Sequence, residues 1–263
     1  MRENTVREIW RGGGCVLNGW LHIPNAFASE MMAHQGWDSL TIDMQHGVID
    51  YTAALGMLQA IATTATIPLA RVPWNEPGMI MKMLDAGCYG IICPMVNTRA
   101  ECEAFVGACR YPPRGYRSFG PLRATLYAGA DYAAHADQLV ITMAMIETRQ
   151  AVENIEEIVQ TPGLDALYIG PSDLGQSMGL GAKMDPTEPE VVAAIDHVLD
   201  TARQHGIVVG MHTGSAEYAR RMAAKGMQFL TIGSDARLMA AAAQRTVAAF
   251  RGAADGPAAM AVY

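Results

Sequence analysis

The stretch IPLARVPWNEPGMIMKMLDAGCYGIIC, residues 67–93, decides the fold class. It begins with a continuous apolar run over 67–72, continues with a helix-like segment over 77–86 and ends in a second apolar run over 90–93. Gly87 follows the helix-like segment directly, where a left-handed helix cap favours a residue without a Cβ. Continuous apolar strands joined by a helix are typical of parallel sheets that are covered on both faces.

The same alternation continues through almost the whole chain. The predicted strands cover residues 15–21, 39–42, 67–72, 90–93, 140–146, 166–169, 207–211 and 229–232. The predicted helices cover residues 25–34, 51–62, 77–86, 99–108, 151–159, 189–205, 216–225 and 236–250. Eight such units predict a single-domain (β/α)8 TIM barrel. A doubly wound open sheet is the alternative, but the sequence contains neither GxGxxG nor a P-loop to support it.

The domain boundaries follow from this pattern. The barrel is expected to span residues 1–252, and the small-residue-rich segment 253–263 is expected to be a disordered tail. Segment 110–137 is too long for a routine connection, so it predicts a lid or a subunit contact.

Composition limits the classes of partner. The 263 residues carry a net charge of −7, which argues against a nucleic-acid or anionic-membrane surface. The five cysteines are an odd number without a CxxC pair, which indicates reduced thiols in a cytoplasmic protein. The charged start MRENTVREIW does not resemble a signal peptide, and no apolar run reaches membrane-spanning length.

Charged side chains follow several of the predicted strands. Asp43 and His46 follow the second strand, Arg71 ends the third, Glu147 ends the fifth and Asp173 follows the sixth. Active sites of (β/α)8 barrels lie at the carboxyl ends of the strands. These groups should therefore lie close together at that end of the barrel, which we call the mouth.

Glu147 and Asp173 come from adjacent strands and predict a shared site for a hard divalent cation. The alternative is structural: Asp173 would cap the following helix and Glu147 would pair with Arg149. Gly170, in the turn before Asp173, lets the backbone approach a ligand closely. The exposed amides after Gly170 are suited to a carboxylate.

Arg71 and His46 are the other candidates at this mouth. Arg71 is suited to binding a substrate oxygen, although a structural ion pair with Glu76 or Asp85 is the alternative. His46 is a candidate general base, oriented by a carboxylate such as Asp85. The alternative for His46 is an ordinary surface residue.

Two further histidines follow predicted strands, and the lysines do not. His212 is a secondary candidate after the seventh strand, and His22, after the first, is a weaker one. Lys82, Lys183 and Lys225 do not end any strand, so a Schiff-base mechanism lacks a nucleophile. If the barrel activates a carbonyl compound, a metal ion is therefore the expected electrophile.

Together these features resemble the HpcH/HpaI aldolase family, over about residues 5–250. The motifs that carry the resemblance occur in the family's order and spacing: IDMQHG (42–47), ARVPWNEP (70–77), MLDAGCYGIICPMV (83–96), YPPRGYRSFGP (111–121), MIET (145–148) and YIGPSDLG (168–175). The resemblance implies a class II, metal-dependent pyruvate aldolase on a (β/α)8 barrel. It would reversibly cleave a 4-hydroxy-2-oxo acid, through a metal-stabilised enolate, to an aldehyde and pyruvate or hydroxypyruvate.

The resemblance also assigns expected roles. Glu147 and Asp173 would hold Mg²⁺ or Mn²⁺, with Co²⁺ as a further option. Arg71 would bind the ketone and carboxylate oxygens of the donor, and the amides of Ser172 and Asp173 would take its carboxylate. His46 would be the acid–base group.

The remaining implied features concern the partner of the base and the assembly. His46 would pair with Asp85, and Asp43 would lie close to both. The family implies a homohexamer, a trimer of dimers, in which C-terminal helices exchange between paired subunits. Contacts to the aldehyde would then include groups of a neighbouring chain.

Two positions depart from the family pattern. Gln45 stands where members commonly have glutamate, and Met145 stands where they commonly have glutamine. These changes bear on donor preference, metal preference and rate. They also motivate one alternative, a non-catalytic metabolite-binding barrel. A decarboxylase or an acyl-CoA lyase acting through the same metal enolate is the other, although a nucleotide groove has only the arginines of segment 110–137 to support it.

Overall fold

The computed structural model describes residues 1–252 as a closed barrel of eight parallel strands, in which each strand pairs with the next along the chain. The strands are β1 Val16–Leu21, β2 Ser39–Asp43, β3 Ile67–Arg71, β4 Gly90–Cys93, β5 Ile141–Ile146, β6 Ala166–Ile169, β7 Val208–Thr213 and β8 Phe229–Ile232. Since β8 pairs with β1, the predicted barrel is confirmed and the open-sheet alternative is wrong. The tail predicted over 253–263 lies outside the described residues.

Helices surround the barrel and return the chain from the end of one strand to the start of the next. They are α1 Thr5–Arg11, α2 Ala26–Ala33, α3 Tyr51–Ile61, α4 Pro77–Asp85, α5 Arg99–Cys109, α6 Leu122–Ala128, α7 Tyr132–Leu139, α8 Arg149–Glu153, α9 Ile155–Ile158, α10 Pro171–Ser177, α11 Pro189–Gln204, α12 Ala216–Lys225 and α13 Asp235–Phe250. Gly87 and Gly226, which follow α4 and α12, have the expected positive φ of 100° and 106°. None of the helices within residues 1–252 is long and apolar enough to cross a membrane.

Two apolar layers explain why the strands are apolar on both faces. One layer fills the barrel interior and includes Trp20, Met143, Met145, Tyr168 and Phe229. The other lies between the barrel and the helices. Because successive side chains of a strand point to opposite faces, residues two apart share the interior. Met145 and Glu147 therefore both point inward, with Glu147 nearer the mouth.

Segment 110–137 contains α6 and most of α7, neither of which was predicted. It starts where α5 ends and finishes before β5 begins, so both of its ends lie at the amino-terminal face of the barrel. The lid alternative is therefore wrong for this chain's own mouth, which is at the opposite face. The segment exposes Phe119, Leu122 and Leu126, which are 75–87% accessible, and the subunit contact stays a prediction.

Candidate active site

Asp43 and Arg71 form the rigid centre of the mouth. They are register partners at the ends of β2 and β3. Arg71 donates from Nε to Oδ1 of Asp43 at 2.8 Å and from Nη2 to Oδ2 at 2.6 Å. This two-point contact fixes the plane of the guanidinium. The alternative ion pairs of Arg71 with Glu76 or Asp85 are not formed, because Glu76 caps α4 and Asp85 pairs elsewhere.

Asp43 is fully buried and accepts six hydrogen bonds. Besides the two from Arg71, the donors are Trp20 Nε1, His22 Nε2 and the backbone N–H groups of Gln45 and His46. Burial alone would raise the pKa of Asp43, but the hydrogen bond from His22 and the charge of Arg71 hold it well below its usual range. Asp43 is therefore a permanent anion that orients its neighbours. It is not available as a base.

The face of Arg71 that is not held by Asp43 borders the pocket at the mouth. Its Nη1 lies 4.0 Å from Sδ of Met145, a weak acceptor, and its guanidinium carbon lies 4.9 Å from the centre of the Trp20 ring. Burial opposes the charge of Arg71, but Asp43 more than compensates and raises the pKa of Arg71. His46, Ser172 and Asp173 line the same pocket. Arg71 thus presents charged N–H groups to the pocket, and among the described residues 1–252 these groups meet no strong acceptor.

Glu147 lies just behind the pocket wall and is 2% exposed. Its Oε1 accepts the backbone N–H of Met95 at 2.7 Å, whereas Oε2 has no hydrogen-bond donor within residues 1–252. Burial raises the pKa of Glu147 to about 7, and the nearby charge of Asp173 adds to this rise. The alternative pairing of Glu147 with Arg149 is not found, because Arg149 Nη2 donates to the carbonyl of Met178.

This pair of carboxylates fits a divalent cation. The raised pKa of Glu147 beside Asp173 indicates negative charge that the protein leaves uncompensated, and a cation would compensate it. Oxygen donors are the ligands that Mg²⁺ and Mn²⁺ prefer. In the part of the chain that the structure describes, no group of three or more His, Cys, Asp or Glu side chains could hold a metal. Water or a ligand would therefore complete the coordination.

Gly170 makes this arrangement possible, and its replacement gives a first prediction. A Cβ at position 170 would lie 2.6 Å from Oε2 and 3.0 Å from Cβ of Glu147. We expect Gly170→Ala to displace the Glu147 carboxylate and to lower cation affinity roughly 10- to 100-fold, as changing a residue that supports a metal ligand typically does. Mn²⁺ titration would measure the change.

The matched control is Gly56→Ala in α3, where the nearest atom to an added Cβ is 3.9 Å away. It should bind Mn²⁺ as the wild type does. Equal affinities for the two variants would show that the space at Gly170 does not serve the carboxylate.

His46 lies in the loop after β2 and is exposed at the mouth. Burial of part of the ring and the charge of Arg71 lower its pKa, while Asp43 and Asp173 oppose that change. The imidazole is therefore neutral at pH 7 and can accept a proton.

The predicted partner of His46, Asp85, is not brought to it within one chain. Asp85 ends α4, which runs from the mouth to the amino-terminal face of the barrel. There it accepts a hydrogen bond of 2.7 Å from Nη2 of the buried Arg117. The expected pair is wrong for a single chain, because the helix carries Asp85 to the far end.

His212 and His22, the secondary and the weaker candidate from sequence, both line the pocket. His212 belongs to β7, where Nδ1 lies 3.2 Å from the hydroxyl of Tyr168. Burial and the charge of Arg71 lower the pKa of His212 to about 3, so it stays neutral. His22, one residue beyond β1, lies with Nε2 2.9 Å from Oδ2 of Asp43.

Comparisons with known proteins agree on one family. The family model described as HpcH/HpaI aldolase/citrate lyase matches residues 19–242. A hydroxypyruvate/pyruvate aldolase from Rhizorhabdus wittichii is 44% identical over 93% of this chain and 98% of its own length. A 4-hydroxy-2-oxo-heptane-1,7-dioate aldolase from Klebsiella pneumoniae is 34% identical over 94% of both chains. The crystal structure of an HpcH/HpaI aldolase/citrate lyase family protein from Burkholderia cenocepacia superposes with a TM-score of 0.88, at 30% identity over 94% of this chain and 99% of that one.

Proposed function

The chain belongs to the HpcH/HpaI aldolase/citrate lyase family and is a carbon–carbon lyase, and we propose that the pocket at the barrel mouth is its active site. The substrate is a 4-hydroxy-2-oxo acid, which is reversibly cleaved to an aldehyde and pyruvate or hydroxypyruvate. One observation carries the assignment of the site. Arg71, which two hydrogen bonds to Asp43 hold in one orientation, borders the same pocket as Asp173. Glu147 lies directly behind the wall of that pocket.

The donor is a 2-oxo acid, which carries its charge on adjacent carboxylate and ketone oxygens. Arg71 binds these oxygens, because its outward N–H groups have no strong acceptor within residues 1–252. The amides of Ser172 and Asp173, at the start of α10, take the carboxylate, and Gly170 lets it approach the backbone. The donor is thereby held with its third carbon in the pocket.

Glu147 and Asp173 would hold Mg²⁺, Mn²⁺ or Co²⁺, which supplies a Lewis acid for the ketone and carboxylate oxygens when bound. Arg71 adds a fixed positive charge where negative charge develops on the ketone oxygen. Because Asp43 holds the guanidinium beforehand, little reorganisation is needed as that charge forms.

His46 transfers the proton to and from the oxygen on C4. In cleavage this hydroxyl must lose its proton as the C3–C4 bond breaks, and in synthesis the new alkoxide must gain one. His46 is the exposed imidazole of the mouth, and its lowered pKa keeps it neutral and ready to accept a proton near pH 7.

Hydrogen exchange tests the proposed function without knowledge of the aldehyde. Protein with pyruvate and Mn²⁺ or Mg²⁺ in D₂O should replace the methyl protons of pyruvate, as followed by proton NMR. EDTA should stop the exchange, and metal without protein should not support it. If pyruvate and metal bind but no exchange occurs with pyruvate or hydroxypyruvate, the chain is a binding barrel rather than an aldolase.

The assembly is part of the same proposal. α13 has sixteen residues, of which only Asp235 is buried, and it leaves Leu238, Met239 and Phe250 45–92% exposed. A helix in this position normally covers the flank between β8 and β1, yet the outward-facing Leu17 of β1 is 38% exposed. We infer that α13 of one subunit covers its partner and that the paired subunits form a homohexamer.

Sedimentation tests this assembly. The wild type should sediment as a hexamer of the 28.2 kDa chain, and Phe250→Asp should reduce its mass, because a buried contact would receive a charge. Glu217→Gln, on the neighbouring helix α12, is the control. A monomeric wild type would contradict the exchange of helices.

All five cysteines are free, which supports a cytoplasmic location.

A further inference from the structure

We propose that His22 is a second acid–base residue of this site, which moves the proton at C3 of the 2-oxo acid while His46 serves the oxygen at C4. This inference rests on the proposed function. It assigns the two proton transfers of the reaction to two different imidazoles.

The first support is the pairing of His22 with a buried carboxylate. Its Nε2 lies 2.9 Å from Oδ2 of Asp43, a side chain with no exposed surface. A permanently charged carboxylate fixes the proton of a neutral imidazole on the nitrogen that faces it. Nε2 is therefore the protonated nitrogen, and Nδ1 carries the free lone pair. Within residues 1–252, no protein group hydrogen-bonds Nδ1.

The second support is the position of His22 in the pocket. Its side chain is 16% exposed and lines the space that Arg71 and His46 also line. Its backbone is fixed from the other side, because its N–H donates to Oδ1 of Asp235 at 2.8 Å. The ring therefore has little freedom to leave the site, and it borders the pocket at the barrel mouth.

Depth distinguishes the two imidazoles. His22 and Arg71 bind the same carboxylate, Asp43, so His22 lies beside the group that binds the ketone oxygen. His46 lies farther out, in the exposed loop after β2. C3 is bonded to the ketone carbon, whereas the C4 oxygen lies two bonds beyond C3. The deeper imidazole is thus placed for C3 and the outer one for the C4 oxygen.

The proton transfers balance when solvent water carries one proton between the two imidazoles. In synthesis His22 gains a proton from C3, His46 gives one to the C4 oxygen, and water returns the proton from His22 to His46; cleavage runs these transfers in reverse. In the direction of synthesis, Nδ1 of His22 takes a proton from C3, and the C–H electron pair forms the enolate, whose negative charge rests on the oxygen bound by Arg71. In cleavage, the C3–C4 bond supplies the electron pair, and the His22 imidazolium returns a proton to C3. Asp43 stabilises the imidazolium in both directions.

A purely positioning role is the competing interpretation, since His22 also helps to hold Asp43. His22→Gln separates the two roles, because a glutamine amide can still donate to Asp43 but cannot accept a proton from carbon. His22→Ala removes both functions and leaves room for free imidazole. His197→Gln, on the exposed face of α11, is the matched control.

Two reactions are compared with Mn²⁺ present: exchange of the methyl protons of pyruvate in D₂O, and release of CO₂ from oxaloacetate in a single turnover. Loss of CO₂ creates the same enolate but removes no proton from C3. We expect His22→Gln to slow exchange by about 100-fold or more, a typical contribution of a general base, while CO₂ release slows less than about threefold. Free imidazole should restore part of the exchange in His22→Ala.

The outcomes separate this inference from the proposed function. Exchange at the wild-type rate in His22→Gln, or a parallel loss of exchange and CO₂ release that imidazole does not rescue, would overturn the role of His22 and leave the aldolase assignment intact. A wild type that neither exchanges nor decarboxylates would overturn both. The control His197→Gln should match the wild type in both reactions.

Discussion

Arg71→Lys is expected to lower kcat/KM for the proton exchange of pyruvate by roughly 10²–10³-fold, the loss that follows removal of one preorganised donor at developing negative charge. Lysine keeps the positive charge but cannot hold Asp43 at two points and still present N–H groups to the ketone oxygen. The measurement is the exchange rate as a function of pyruvate concentration, with Mn²⁺ saturating.

Two further variants show whether orientation or charge is responsible. Arg99→Lys, in an exposed pair with Glu103, should exchange like the wild type. Asp43→Asn keeps Arg71 but replaces the buried anion that fixes it, and it should lose most of the same activity. An Arg71→Lys variant within threefold of the wild type would show that Arg71 is a structural residue and that the donor binds elsewhere.

The barrel was predictable from sequence because each strand is buried on both faces and therefore reads as a short apolar run. The helices in segment 110–137 were not, because they are short and interrupt the regular βα alternation. The helical spacing of Tyr132, Ala136 and Leu139, which α7 buries, was the signal that the sequence offered. The short helix α1 was missed for a similar reason: its seven residues are mostly polar or charged and bury only Val6.

The position of a side chain at the mouth was predictable wherever a charged residue ends or directly follows a strand, as Arg71 and Glu147 do. His22 was undervalued because a lone histidine carries no pattern of its own. Its significance comes from strand register: Leu21 pairs with Ile42, so the next residues, His22 and Asp43, become neighbours. That register is a tertiary property.

The predicted His46–Asp85 pair failed in a single chain for a different physical reason. The resemblance pairs Asp85 with His46, and Asp85 follows Arg71 by only fourteen residues along the chain. The intervening helix α4, however, travels away from the mouth at about 1.5 Å per residue. Asp85 therefore reaches the opposite face, beside Arg117.

The second large effect is expected at Glu147, whose removal should abolish cation-dependent exchange. Glu147→Gln keeps the shape of the side chain and can still accept the N–H of Met95, but it loses the charge. We expect Mn²⁺ affinity to fall by at least about 100-fold, because replacing even an outer-shell partner of a metal site costs 10–100-fold. Glu156→Gln, an exposed carboxylate of α9, is the control and should bind Mn²⁺ normally.

Burial raises the pKa of Glu147 to about 7, and the affinity for Mn²⁺ should therefore decrease as the pH falls. Below pH 7 the carboxyl is protonated, so a cation must displace a proton before it can bind. The wild-type affinity for Mn²⁺ should therefore fall up to about tenfold per pH unit below pH 7 and level off above it. Calorimetric titrations from pH 5.5 to 8 measure this slope, and buffers of different ionisation enthalpy report the proton released. Glu147→Gln should lose that contribution to the slope, because its side chain has no proton to displace. A wild-type affinity that stays constant over this range, together with Glu147→Gln binding Mn²⁺ as tightly as the wild type, would show that Glu147 does not bind the cation.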